Sequence, residues 1–176
     1  ESWESGDATP SYPQLEKLAY QIYKRPLAVF FLPAPPEEKL PEHEFRTLPQ
    51  ADMNMLGADT YMQIRRAHAF QVGLNALFAG RNPADRFIPE DISLSRETSV
   101  VDQAMAIRNY LGITLEYQAS LKNDETALKV WREAIESAGI FVFKAPFKQK
   151  DISGFCLRDE AFPIIYINNT TTKTRQ

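Results

Sequence analysis

At Gly139 the hydrophobic pattern of this 176-residue chain changes period. Before it, apolar residues recur three and four positions apart; after it come three short runs rich in β-branched and aromatic residues, separated by turn signals. The runs are Ile140-Phe141-Val142-Phe143, residues 152–157 and residues 163–167. Helical segments followed by strands place the chain in the α+β class, mostly helical with a small C-terminal sheet of about three strands. Apolar residues on both alternations of the runs predict strands covered on both faces, with the preceding helix packed across them.

The spacing predicts a first helix over residues 12–24, with Ser11 and Gln14 placed as a capping box and Leu15, Leu18, Ala19, Ile22 and Tyr23 along one face. Pro26 suits the start of a second, short helix carrying Ala28, Val29, Phe30, Phe31 and Leu32, an apolar cluster that requires a covering surface. Pro33, Pro35, Pro36 and Pro41 then forbid helix and favour an extended, semi-rigid linker. A long helix follows over 59–79, stopped by Gly80. The stretch 81–96 reads as turns. Ser99 and Asp102 form a second capping-box pattern ahead of a helix ended by Gly112, and Asn123 caps a last helix that buries Leu128, Trp131, Ile135 and Ala138 up to Gly139.

Composition excludes several classes. A hydrophobic share of 44% with 24% charged residues is ordinary for a globular protein, and a net charge of −3 gives no overall electrostatic footprint for nucleic acid. The longest apolar run, residues 27–32, is far short of the roughly 20 residues that cross a bilayer, so no membrane partner is expected. The single cysteine, Cys156, permits no intrachain disulfide and fits a cytoplasmic setting. The chain opens on Glu1-Ser2-Trp3 and closes on Lys173-Thr174-Arg175-Gln176, and both ends read as cuts.

The candidates for chemistry are few. His43 and His68 are the only histidines, and two on separate elements do not make a metal site. His43-Glu44-Phe45-Arg46-Thr47 begins like a zinc-peptidase signature but has Thr47 where the second histidine is required. Cys156, between Phe155 and Leu157, reads as a buried structural thiol rather than a nucleophile. Glu37 with Glu38, and Asp159 with Glu160, read as solvated turns, and Lys144, Lys148 and Lys150 as a solvated loop cluster. Arg65, Arg66, Arg81 and Arg86 are the candidates for a basic face. No catalytic residue and no metal ligand is assigned.

Three stretches together resemble the regulators that join an Xre-type helix-turn-helix to an ImmA/IrrE-type metallo-endopeptidase domain. Trp3, Glu4 and Gly6, then Ser11, Leu15, Leu18 and Ala19, resemble the end of the Xre recognition helix and the helix after it; 23–33 looks like the exit from that domain. Ala106-Ile107-Arg108, Leu111-Gly112-Ile113 and the run from Trp131 to Phe143 are similar to the helical lead-in of the peptidase domain. Residues 152–157, then Pro163-Ile164-Ile165-Tyr166-Ile167-Asn168 and Arg175, look like the strands preceding its catalytic helix.

The resemblance implies three parts: a helix-turn-helix remnant over 1–33, a proline-containing linker over 34–56, and the lead-in and first sheet of a truncated zincin-like domain over 57–176. It implies zinc, held by an H-E-x-x-H motif, in the parent protein and no cofactor in this chain, which is expected to end before the motif and to be inactive. It implies DNA as a partner of the parent, weak or none for this chain, and a protein or peptide substrate. Gly154, Phe155, Cys156 and Leu157 are then either a plain structural strand or an edge that aligns substrate backbone by strand addition. Three functions stay open: a zinc peptidase that cleaves or senses a repressor or partner protein, an antitoxin-like or phage-type repressor whose peptidase-like domain only senses or dimerises, and an interaction module without catalysis. The apolar cluster around Phe30 and Phe31 and the truncated sheet motivate the third of these, and the sheet, expected to lack the helix that would cover it, makes self-association a further expectation.

Overall fold

The structure is a computed structural model that describes residues 2–37, 56–149 and 151–172. Most of the linker expected at 34–56 lies outside the described residues, as do His43, Glu38, Lys150 and Arg175. The described residues are α+β, with six α-helices and one three-stranded mixed sheet. The helices are α1 Tyr12–Glu16, α2 Ala58–Leu77, α3 Ile88–Asp91, α4 Val100–Leu111, α5 Leu115–Ser120 and α6 Asp124–Ser137. The strands are β1 Phe141–Ala145, β2 Gly154–Leu157 and β3 Ile164–Asn168. No helix among the described residues is long and apolar enough to cross a membrane.

Caps fix several boundaries where the sequence places them. The Gln14 side-chain oxygen accepts from the backbone N–H and the hydroxyl of Ser11, at 2.8 and 2.9 Å. Asn123 accepts from the Thr126 N–H at 2.9 Å, with Asp124 and Glu125 in the first turn at the positive end of the helix. Ser99 accepts from Val101 rather than from Asp102, at 3.2 Å. Two features depart from the sequence reading. Lys17–Ile22 winds as a π-helix instead of continuing α1 to residue 24, and the stretch 81–96, read as turns, holds the short helix α3, while α5 adds a short helix at Leu115–Ser120, where no element was expected. Pro89 sits in the first turn of α3, and Thr114 caps α5 by accepting from the Tyr117 N–H at 3.1 Å.

Strand order is β1-β3-β2, with β3 parallel to β1 and antiparallel to β2. The register sets Phe143 and Phe155 on either side of Tyr166, and Phe141 and Leu157 on either side of Ile164. These six side chains share one face, because neighbours across strands at matched register point the same way. Helix α2 lies on that face: Ile64 and Ala67 join Phe155, Leu157, Ile164 and Tyr166 in the core, and the Phe70 ring stacks on Phe143 at 4.4 Å between centroids. Phe147 adds rings 5.6 Å from Phe155 and 5.8 Å from Tyr166. Each such pair contributes about 0.5–1.5 kcal/mol beyond the area it buries.

The opposite face, with Val142, Ile165 and Cys156, grades from buried at Val142 to exposed at Cys156. Cover on both faces therefore holds for β3 and not for β2. Helix α6 packs against β1, as expected of the helix that precedes it, and the tight turn between them needs Gly139. Its φ is +85°, and a Cβ there would come 2.6 Å from the Phe87 ring.

Polar groups are buried in this layer with their partners. The Tyr166 hydroxyl donates to Gln63 Oε1 at 3.2 Å, and Gln63 Nε2 donates to the Pro146 carbonyl at 3.2 Å. Asn168, fully buried, donates from Nδ2 to the carbonyls of Gln149 (2.9 Å) and Ile152 (2.7 Å). Its Oδ1 accepts from the N–H of Phe147 (3.3 Å) and from the N–H and hydroxyl of Thr170 (3.0 and 2.7 Å). Gln149 in turn accepts from the Gly57 N–H and the Thr60 hydroxyl, which ties the start of α2 to the loop between β1 and β2.

Asn168→Leu keeps the volume but strands these buried groups, so it is expected to destabilise the chain by on the order of 3 kcal/mol. Urea denaturation should show a lower midpoint at unchanged slope; a loss under about 1 kcal/mol would mean the hub carries no such weight. Burial raises the Tyr166 pKa above its ordinary value, with Arg66 pulling the other way. A raised folded pKa gives stability that is present below the unfolded value of about 10 and lost as pH rises through the folded one. The stability advantage of the native chain over Tyr166→Phe should thus be flat to about pH 10 and shrink above it.

Candidate peptide-binding edge

Strand β2 ends the sheet: β3 pairs with one side of it, and no strand among the described residues pairs with the other. The Asn168 N–H donates to the Ser153 carbonyl at 2.9 Å, which extends the β2–β3 register by one residue. Bonded and non-bonded pairs alternate along an antiparallel ladder. Phe155 and Leu157 therefore turn their backbone groups toward β3, while Gly154 and Cys156 turn theirs outward. The side chains alternate in the perpendicular direction: Phe155 and Leu157 enter the core, 5% and 1% exposed, and Cys156 faces out. The Phe155 ring lies on Tyr166 at 5.2 Å and 6°, holding the strand to the sheet from beneath.

The thiol expected to be buried is exposed. The two core positions of a four-residue strand are taken by the larger apolar neighbours, and period-two alternation puts the residue between them on the far face. Gly154 is required by close approach: a Cβ there would stand 2.5 Å from the Tyr166 carbonyl oxygen and 3.4 Å from the Ile167 Cα. So all four residues singled out in the sequence fall on one terminal strand, two anchoring it and two presenting backbone outward.

Other candidates do not assemble. Arg65 donates to the Lys24 carbonyl at 2.9 Å. Arg86 donates to the Tyr110 carbonyl at 2.6 Å and lies 3.9 Å over the Tyr110 ring. Two of the four arginines thus serve contacts within the chain, on separate elements, while Arg66 and Arg81 are exposed. His68 sits partly buried on α2 with Nδ1 3.3 Å from Gln71 Oε1. Among the described residues no three of His, Cys, Asp and Glu come together in a way that could hold a metal ion. Glu37, Lys144, Lys148, Asp159 and Glu160 are exposed; Asp159 also caps its turn, accepting from the N–H groups of Ala161 and Phe162 at 3.0 and 2.7 Å.

An open cleft of about 680 Å³ lies between residues 82–86, the end of α6 and the start of β1. Its wall is built by Asn82, which donates to the carbonyls of Gly139 (2.8 Å) and Ala161 (2.6 Å), and its Glu136 is paired with Arg132 at 2.9 Å. At the N-terminal end, Trp3, Glu4 and Gly6 lie in an exposed turn closed by the Ala8 N–H on the Ser2 carbonyl at 3.1 Å, Ser11 is exposed, Leu15 and Leu18 are half-buried, and Ala19 is buried.

The sequence did not single out Gln63, Gln149 or Asn168, which hold the loop behind β2. Asn168 stood in it only as the last residue of an apolar run, and the Gln63–Tyr166 pair is separated by 103 positions. Gly154→Ala is expected to cost about 1–3 kcal/mol through forced displacement of β2, and to raise hydrogen exchange at Phe155 and Leu157 more than at β1 amides. Equal exchange at all three would contradict the close approach. Comparisons with protein-family models, with curated proteins and with solved structures find no match to this chain.

Proposed function

We propose that this chain is the connecting and substrate-side part of a regulator that joins an Xre-type helix-turn-helix to an ImmA/IrrE-type, zincin-like peptidase domain. In that reading the N-terminal turn and α1 are the remnant of the DNA-binding unit. Helices α2–α6 lead into the peptidase-like domain, and β2 aligns an extended peptide by strand addition. The whole regulator acts in the cytoplasm, binds DNA through its helix-turn-helix, and cleaves or senses a repressor or partner protein.

The observation that carries the reading is the place of β2: the outermost strand among the described residues, with the Gly154 backbone turned away from β3 while Phe155 and Leu157 fix the strand to the core. Strand addition draws affinity from main-chain hydrogen bonds and needs no titratable side chain. The residue-by-residue resemblance supplies the family. Zinc is assigned to none of the described residues, and no chemical step is derived through it.

A second reading, an interaction or dimerisation module, is favoured by the apolar residues around α1 and the 3-10 turn Leu27–Phe31, where Phe31 is 70% and Leu32 51% exposed.

Hydrogen exchange at the Gly154 amide, which turns away from β3, tests the strand-addition reading. On binding the best hexapeptide that fluorescence polarisation selects from a positional-scanning library, that amide should exchange about fivefold more slowly, the equivalent of one net hydrogen bond of about 1 kcal/mol. Unchanged exchange there would remove the strand-addition reading. Dialysis against zinc should leave the chain with far less than one equivalent; stoichiometric zinc would overturn the assignment of metal ligands to other residues.

A further inference from the structure

We propose that Arg65 is a latch that docks the N-terminal helix onto α2, and that the turn at Lys24 is the hinge on which this helix swings when the latch opens. The inference goes beyond the peptide reading and does not depend on it.

The N-terminal helix is wound in an unfavourable way toward its end. After Glu16 the backbone passes into the π-helical stretch Lys17–Ile22, and the Tyr23 N–H closes on the Leu18 carbonyl at 2.9 Å. Such insertions are rare and are found mostly as local departures from α-helix, frequently at functional positions. Lys24 then takes φ +53°, the left-handed region that side chains resist, and the Arg25 N–H reaches back to the Ala19 carbonyl at 2.8 Å. A strained turn of this kind persists only when its surroundings hold it.

Arg65 provides that hold. Its Nη2 donates to the carbonyl of Lys24 itself, at 2.9 Å across 41 positions of sequence. A guanidinium hydrogen bond to a carbonyl is charge-assisted and stronger than a neutral one. Apolar burial at the helix end is modest: Ala19 is buried and the Tyr23 ring meets Phe30 edge-on at 5.7 Å, whereas Tyr20, Ile22 and Tyr23 are each more than half exposed. The other party is fixed. Gln63, two residues before Arg65 and so turned by roughly 200° around α2, grips the sheet through the Tyr166 hydroxyl and the Pro146 carbonyl. Helix α2 is therefore held to the sheet by one side and holds the N-terminal helix by the other. The N-terminal helix, with Lys24 at its end, is the part free to move.

Hydrogen exchange on the full 176-residue chain tests this, comparing the native sequence with Arg65→Met and with Arg65→Met/Lys24→Gly. In Arg65→Met the amides of Tyr23 and Arg25 should exchange about tenfold faster, while those of Val142, Ile165 and Ile167 keep their native rates. Glycine accepts the left-handed turn without strain, so the double variant should recover at least half of the lost protection. Unchanged rates at Tyr23 and Arg25 would overturn the latch. So would an equal acceleration in the sheet, which would make Arg65 a general stabiliser. Absence of recovery in the double variant would overturn the hinge at Lys24.

Discussion

A polar side chain placed in an apolar layer costs several kcal/mol unless its hydrogen-bonding groups are met, and the packing of α2 on the sheet is organised around that constraint. Gln63 and Tyr166 meet inside the layer, and Asn168 gathers the loop after β1, the residue before Ser153 and the turn after β3. The aromatic stack from Phe70 through Phe143 and Tyr166 to Phe155 supplies apolar area. The polar contacts fix where along the sheet that area is buried. Rings slide over one another at little cost, whereas a buried amide has only one position in which its donors and acceptors are all met.

This division explains how much of the molecule could be read from its sequence. Segments whose signals are local came through: the Asn123 cap of α6, the Ser11–Gln14 contact, the stop at Gly112 and the three strands within a residue or two of their places. Segments that depend on distant partners did not. Alternation over four residues cannot tell which face a neighbouring helix will cover, so Cys156 was placed inside when Phe155 and Leu157 had taken the inside positions. Helix α2 was legible at 59–79 and lies at Ala58–Leu77, but that Thr60 and Gln63 are buried beside Ile64 and Ala67 carries no apolar signal. The π-helical winding before Lys24 has no counterpart in the apolar spacing, which continues the α-helical period to Tyr23.

The candidate site was legible in part for the same reason. Four consecutive residues suffice to recognise a strand, but whether a strand lies in the middle or at the end of a sheet is a property of topology. Here the crossover that sets β3 between its two predecessors leaves the second of them outermost. The groups that keep this outer strand in place are contributed by the core, by the loop behind it and by α2, so the binding reading depends on residues that never touch a ligand.

A strand of four residues is ordinarily a poor ruler. A slip by one position exchanges its two faces, and a slip by two preserves them and would be tolerated by pattern alone. Gly154 closes the second route. The space beside the Tyr166 carbonyl admits a residue without a side chain and no other, and a shift by two in either direction brings Ile152 or Cys156 against it. A single missing methyl group thereby indexes the strand against β3.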